Sequence, residues 1–102
     1  MIEEVAGQVD EIEVLCRRFG VRRLDVFGSA ASSDSNGRAN DVDFLVELDP
    51  PEGISRFDAF FGLKEGLEAL LGIPVDLVDP SALRNPYFAA SVEASRTELY
   101  AA

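Results

Sequence analysis

Asp41 and Asp43 stand two residues apart at the head of an apolar run, Asp41-Val42-Asp43-Phe44-Leu45-Val46. A third acid, Asp76, interrupts the equally apolar Pro74-Val75-Asp76-Leu77-Val78. Side chains two apart on a strand share one face and lie roughly 7 Å from each other along the chain. Two like charges on one face of an apolar strand are costly unless a cation or a solvent-filled cleft answers them. Carboxylates so placed can converge on a pair of divalent cations, which sit about 3.5–4 Å apart in two-metal sites. Just upstream, Gly28 lets backbone come close to a ligand, and Ser29 offers a hydroxyl and a candidate helix N-cap. The combination suggests a place that holds phosphates beside metal ions. Asp76 would complete the metal site and could take the proton from an attacking hydroxyl, because like-charged neighbours make a carboxylate a better base. The bland alternative is a strand, a turn and an Asp-capped second strand with no ligand.

The elements that must position these residues follow from the pattern. Ile2, Val5, Val9, Ile12, Leu15, Cys16 and Phe19 recur at spacings of three and four, which predicts one amphipathic helix over 2–19. Acids at its start, Arg17-Arg18 at its end and Gly20 beyond it suit a helix with a glycine stop. Val21–Phe27 alternates as a strand, with Leu24 and Val26 on one face and Asp25 and Phe27 on the other. Asp25 is read as structural. A short helix is expected to open over 29–33 and present free N–H groups to an anion. Residues 32–40 read as loop, with Asn36-Gly37 a turn dipeptide. The segment 49–53, rich in proline and glycine, is loop as well.

Ile54–Leu71 returns to helical spacing. Its aromatic cluster, Phe57, Phe60 and Phe61, is expected in the core, and Gly62 and Gly66 are expected to mark close packing. Pro74–Val78 is the third strand, followed by an Asp79-Pro80-Ser81 turn with a cap. A last helix begins at Asn85-Pro86, in which Tyr87, Phe88, Val92 and Ser95 recur, and a short strand follows over 97–100. The order of elements indicates a two-layer α/β (α+β) domain with helices packed on one sheet.

Composition narrows the function classes. The chain of 102 residues is long enough for one domain with one core. With 19 acidic against 9 basic residues its net charge is −10, which disfavours direct binding to a nucleic-acid backbone. Histidine is absent, so catalysis by a His base, a Ser-His-Asp triad or a zinc-histidine site is excluded. The single Cys16 rules out an intramolecular disulfide and a cysteine-cluster zinc site, and its place on the helical pattern reads as core packing. Acid–base and metal chemistry fall to the carboxylates. The start of the chain lacks a signal-peptide pattern, and no apolar run approaches the ~20 residues of a membrane span. A cytoplasmic protein is expected.

Gly28-Ser29, a polar spacer, Asp41-Val42-Asp43 and the later Asp76 resemble the pattern of the minimal nucleotidyltransferases, short members of the DNA polymerase β-like superfamily. The resemblance covers nearly the whole chain, 1–102, as a single domain. It implies a nucleotidyltransferase fold with a small mixed sheet and a site at its open face. In that family pattern Gly28 and Ser29 hold the nucleotide's outer phosphates. Asp41 and Asp43 hold two Mg²⁺ ions, and Asp76 joins one of them near the attacking hydroxyl. The reaction implied is transfer of AMP from ATP to a hydroxyl.

The resemblance further implies the antitoxin half of a two-gene system. Its enzyme adenylylates a tyrosine of a cognate HEPN-type toxin, a ribonuclease, within a hetero-oligomer. Two features depart from the pattern. The spacer from Ala30 to Asn40 is one residue longer than usual, and Ala30-Ala31-Ser32 stands where many members carry Ala-Arg-Gly. Arg38 is a candidate substitute for the missing arginine, or an ordinary loop residue. These departures keep open a degenerate member that neutralises its partner by binding alone. A stand-alone transferase for a small molecule is the third alternative.

Overall fold

A computed structural model describes residues 1–31 and 41–102. The expectations for Ser32, Ser33, Asn36, Gly37 and Arg38 lie outside the described residues. Four strands form one sheet in the order β3-β2-β1-β4, where β1 is Val21–Phe27, β2 Val42–Leu48, β3 Val75–Val78 and β4 Thr97–Ala101. β1 pairs antiparallel with both β2 and β4, while β2 and β3 run parallel, so the sheet is mixed as expected.

The predicted N-terminal helix is two helices. α1 spans Glu3–Ala6 and α2 spans Val9–Phe19, broken at Gly7-Gln8. Glycine costs about 1 kcal/mol relative to alanine inside a helix, and the break lets Ile2 donate its N–H to Ala30 O (2.9 Å) while Val5 and Ile12 both reach the core. Gly20, at φ +72° in the left-handed region, ends α2 by donating its N–H to Cys16 O.

The principal core lies between α2, α3 (Arg56–Leu71) and one face of the sheet. It contains Ile12, Cys16, Leu24, Val26, Phe44, Val46, Leu63, Leu67, Val75 and Leu77, among others. Cys16 is fully buried, and desolvation pushes its thiol pKa up to about 12, so it behaves as a small hydrophobe. Gly62 and Gly66 account for the close approach of the two helices. A β-carbon at Gly62 would meet the Phe19 ring at 2.6 Å, and one at Gly66 would meet Leu15 Cδ2 at 2.9 Å. Ser55 caps α3 by accepting the Asp58 N–H at 3.0 Å.

The aromatic cluster on α3 departs from expectation. Phe57 is 69% and Phe61 44% exposed, and only Phe60 is packed against the core. The two outer rings lie against each other, tilted by 46° with 4.7 Å between centroids. A broad apolar stripe at helical spacing covers more of the helix circumference than the sheet and α2 can bury, which is why the reading by periodicity placed these rings inside.

α4, Pro86–Ser95, packs on the opposite face of the sheet. There Val92 and Phe88 meet Phe27, Leu45 and Val78, with Phe88 edge-on to Phe27 at 5.7 Å. Asn85 Oδ1 caps α4 through the N–H groups of Tyr87 (3.0 Å) and Phe88 (3.3 Å). Among the described residues no helix is long and apolar enough to cross a membrane.

Candidate active site

The strand register assembles the site. Asp43 is the cross-strand partner of Phe27, the last residue of β1, and of Asp76 on parallel β3. Val42 and Phe44 point into the principal core, as do Val75 and Leu77. Side chains alternate along a strand, so Asp43 and Asp76 project side by side from the other face, the one that α4 covers further along. Asp41 immediately precedes β2 rather than lying in it, and its side chain is exposed. Burial raises the Asp43 carboxyl above its ordinary pKa, and the charges of Asp76 and then Asp41 raise it further. Asp76 and Asp41 thus both act on the charge of the Asp43 carboxyl.

The chain leaves β1 through Gly28, whose φ of +74° is in the left-handed region. A side chain there would run into the Asp43 carboxylate, so glycine is what allows the turn to sit over the acid. Gly28–Ala30 forms a single 3₁₀ turn where a short helix is expected to open over 29–33, of which residues 32 and 33 lie outside the described residues. Phe27 occupies the cap position, and Ser29 lies exposed inside the turn without a capping bond. The Gly28 N–H donates to Ser95 Oγ at 2.7 Å.

Two further carboxylates are accounted for structurally, as the sequence suggests. Asp25 is fully buried and accepts from Arg23 Nε at 3.0 Å and from Arg96 Nε. Arg96 also reaches Glu93 Oε1 at 2.7 Å, and its pKa is raised chiefly by the hydrogen bond to Asp25. Asp79 accepts the Ser81 N–H at 2.8 Å, and that bond holds its carboxyl below the usual range.

Among the described residues no group of three or more acids, histidines or cysteines stands close enough to hold one ion between them. The donor set nonetheless suits Mg²⁺. That ion prefers oxygen ligands and takes one or two carboxylates, completing its octahedron with substrate phosphates and water. Asp41 and Asp43, with Asp76 beside Asp43, offer such a set on the open side of the Gly28 turn. Ser95 and Arg96 were not foreseen as neighbours of this site. They lie 67 and 71 residues from the groups they bond, so no local spacing signals them. A mostly apolar groove lined by Glu11, Val14, Leu15, Gly66, Ala69 and Leu70 runs along the junction of α2 and α3, and none of Asp41, Asp43 and Asp76 lines it.

Comparison with known proteins agrees with this arrangement. A family model described as a nucleotidyltransferase domain matches residues 12–99. Protein adenylyltransferase MntA of Thermococcus cleftensis is 45% identical over 71 residues, covering 70% of this chain and 68% of the relative. A solved structure provisionally described as a minimal nucleotidyltransferase superposes with a TM-score of 0.67 at 34% identity, covering 95% of each chain. At 22% identity and a TM-score of 0.59, the fold is also that of a chain in the complex of a tri-AMPylated Shewanella oneidensis HEPN toxin with its MNT antitoxin, covering 95% of this chain and 72% of that one. The family match over most of the sequence, on a sheet that carries the acids at one end, shows that the chain belongs to the nucleotidyltransferase-domain family.

Proposed function

We propose that this protein is a Mg²⁺-dependent protein adenylyltransferase acting as an antitoxin in the cytoplasm. It transfers AMP from ATP to a tyrosine hydroxyl of a cognate HEPN-type toxin, a ribonuclease, and so silences it within a hetero-oligomer. The observation that carries the reading is the placement of Asp43 and Asp76 as register partners beside the Gly28–Ser29 turn. The name of the Thermococcus relative supports the reaction class, and the AMPylated toxin in the Shewanella complex supports the acceptor. The net charge of −10 suits a basic RNA-binding partner and disfavours nucleic acid as a direct ligand.

In this reading Ser29 and the turn around it orient the outer phosphates. Asp41 and Asp43 hold the Mg²⁺ ions, with Asp76 joining one. The metal, when bound, offsets the charge that develops on the α-phosphate and on the departing pyrophosphate. Asp76 accepts the proton of the attacking hydroxyl as the new oxygen–phosphorus bond forms and the bond to the β-phosphate oxygen breaks.

Incubation of the protein and its partner with ATP labelled at the α- or the γ-phosphate tests this. Label reaches the partner from the α-position only, requires Mg²⁺, and is lost in Asp41→Ala/Asp43→Ala. Label from the γ-position would replace the reading with a kinase. A second reading, neutralisation by contact alone, is favoured by the alanines that follow Ser29 where an arginine is usual. It predicts no label and a stable complex.

A further inference from the structure

We propose that the Ser95 hydroxyl is part of the nucleotide-binding site. It accepts the Gly28 N–H and presents its own proton to an outer phosphate oxygen of the bound triphosphate. The inference rests on the reading of this sheet end as a nucleotide site. Gly28 N–H donates to Ser95 Oγ, 2.7 Å away, so this amide of the turn is already used and does not itself reach a phosphate. A serine hydroxyl has one donor and two acceptor lone pairs, so after accepting from Gly28 it still has a proton to give. The hydrogen-bonding capacity of the amide is passed on by one hydroxyl, and a donor in such a chain is strengthened by the bond it accepts.

Several contacts fix Ser95 in this place. Arg96 donates its N–H to Val92 O at 2.8 Å, Thr97 Oγ1 donates to Ser95 O at 3.2 Å, and the Arg96 side chain is tied to the buried Asp25. Ser95 is half-buried and so remains within reach of a ligand. Together with Ser29, which lies in the Gly28–Ala30 turn, it gives the phosphates two neutral donors that leave the carboxylates free for metal.

Binding of MgATP and of AMP to the full chain, measured by calorimetry, tests the assignment. Ser95→Ala weakens MgATP binding about ten- to a hundredfold, the loss of one hydrogen bond to a charged group, and changes AMP binding much less, because AMP lacks the outer phosphates. Ser95→Thr, which keeps the hydroxyl, returns MgATP affinity to within about threefold of the wild type. Equal MgATP affinity in Ser95→Ala and wild type overturns the inference, as does an equal loss for ATP and AMP accompanied by a fall in Tm. Failure of the wild-type protein to bind either nucleotide overturns the nucleotide reading of the site itself.

Discussion

Gly28 and Asp43 stand so close that the glycine's missing β-carbon would lie 2.8 Å from Asp43 Oδ2. The turn and the central acid are thus one unit, and changing the first displaces the second. Gly28→Ala carries two penalties. A left-handed alanine costs about 1–2 kcal/mol, and the carboxylate must swing away. The variant is expected to fold with a Tm lowered by several degrees and to lose about a hundredfold in kcat/KM, the scale of a catalytic group displaced by about 1 Å. Thermal melts alongside initial rates check both.

Asp43 carries an unfavourable charge in the folded protein. Its folded-state pKa is raised above 3.8 by burial, then by Asp76 and Asp41, so the folded state binds more protons than the unfolded state in the window above 3.8. Stability therefore falls as pH rises through that window, and the ionised acid leaves the protein less stable at neutral pH. In the presence of a chelator Asp43→Asn is expected to raise Tm at pH 7. Added Mg²⁺ is expected to stabilise the wild type and to stabilise the variant less, which paired melts with and without the ion will show.

The Asp25–Arg96 pair joins the centre of β1 to the end of α4. Asp25 is fully buried while Arg96 retains 19% exposure, so the two partners are unequal when left alone. Arg96→Met leaves a buried carboxylate with Arg23 as its remaining partner, a loss of about 3–5 kcal/mol. Asp25→Asn leaves a guanidinium that can reach water and is expected to cost less. Urea unfolding of both variants gives the order.

Gly62 and Gly66 separate two outcomes of the same substitution. Alanine gains about 1 kcal/mol over glycine in a helix, and overpacking costs about 1–3 kcal/mol. At Gly66 the obstacle is the two methyls of Leu15, at 2.9 and 3.3 Å, the far end of a side chain that can rotate aside, so Gly66→Ala is expected near neutral. At Gly62 it is the edge of the Phe19 ring, with two atoms inside 3 Å, so Gly62→Ala is expected to destabilise by about 1–2 kcal/mol. Chemical denaturation of the two variants distinguishes them.

Local order was legible where local physics decides it. The glycine stop at Gly20, the alternation of Leu24 and Val26 against Asp25 and Phe27, the cap at Asp79 and the helix start at Asn85-Pro86 all rest on near neighbours in sequence. Asp43 and Asp76 stand out in the sequence as charges in apolar strands, and the structure adds that they are register partners. The helix break at Gly7 escaped because a single glycine interrupts a period without erasing it. The outward Phe57 and Phe61 escaped because periodicity names a stripe and not its width. Ser95 and Arg96 escaped because their partners are set by the pairing of β4 with β1 and by the path of α4, which no local window contains.

The most direct test of the account is the intact mass of the protein encoded beside this one, after co-expression with the wild-type chain and with Asp41→Ala/Asp43→Ala. A gain of one or more AMP units with the wild type, absent with the variant, is the predicted result. An unchanged mass in a stable complex with the wild type would contradict the transferase reading.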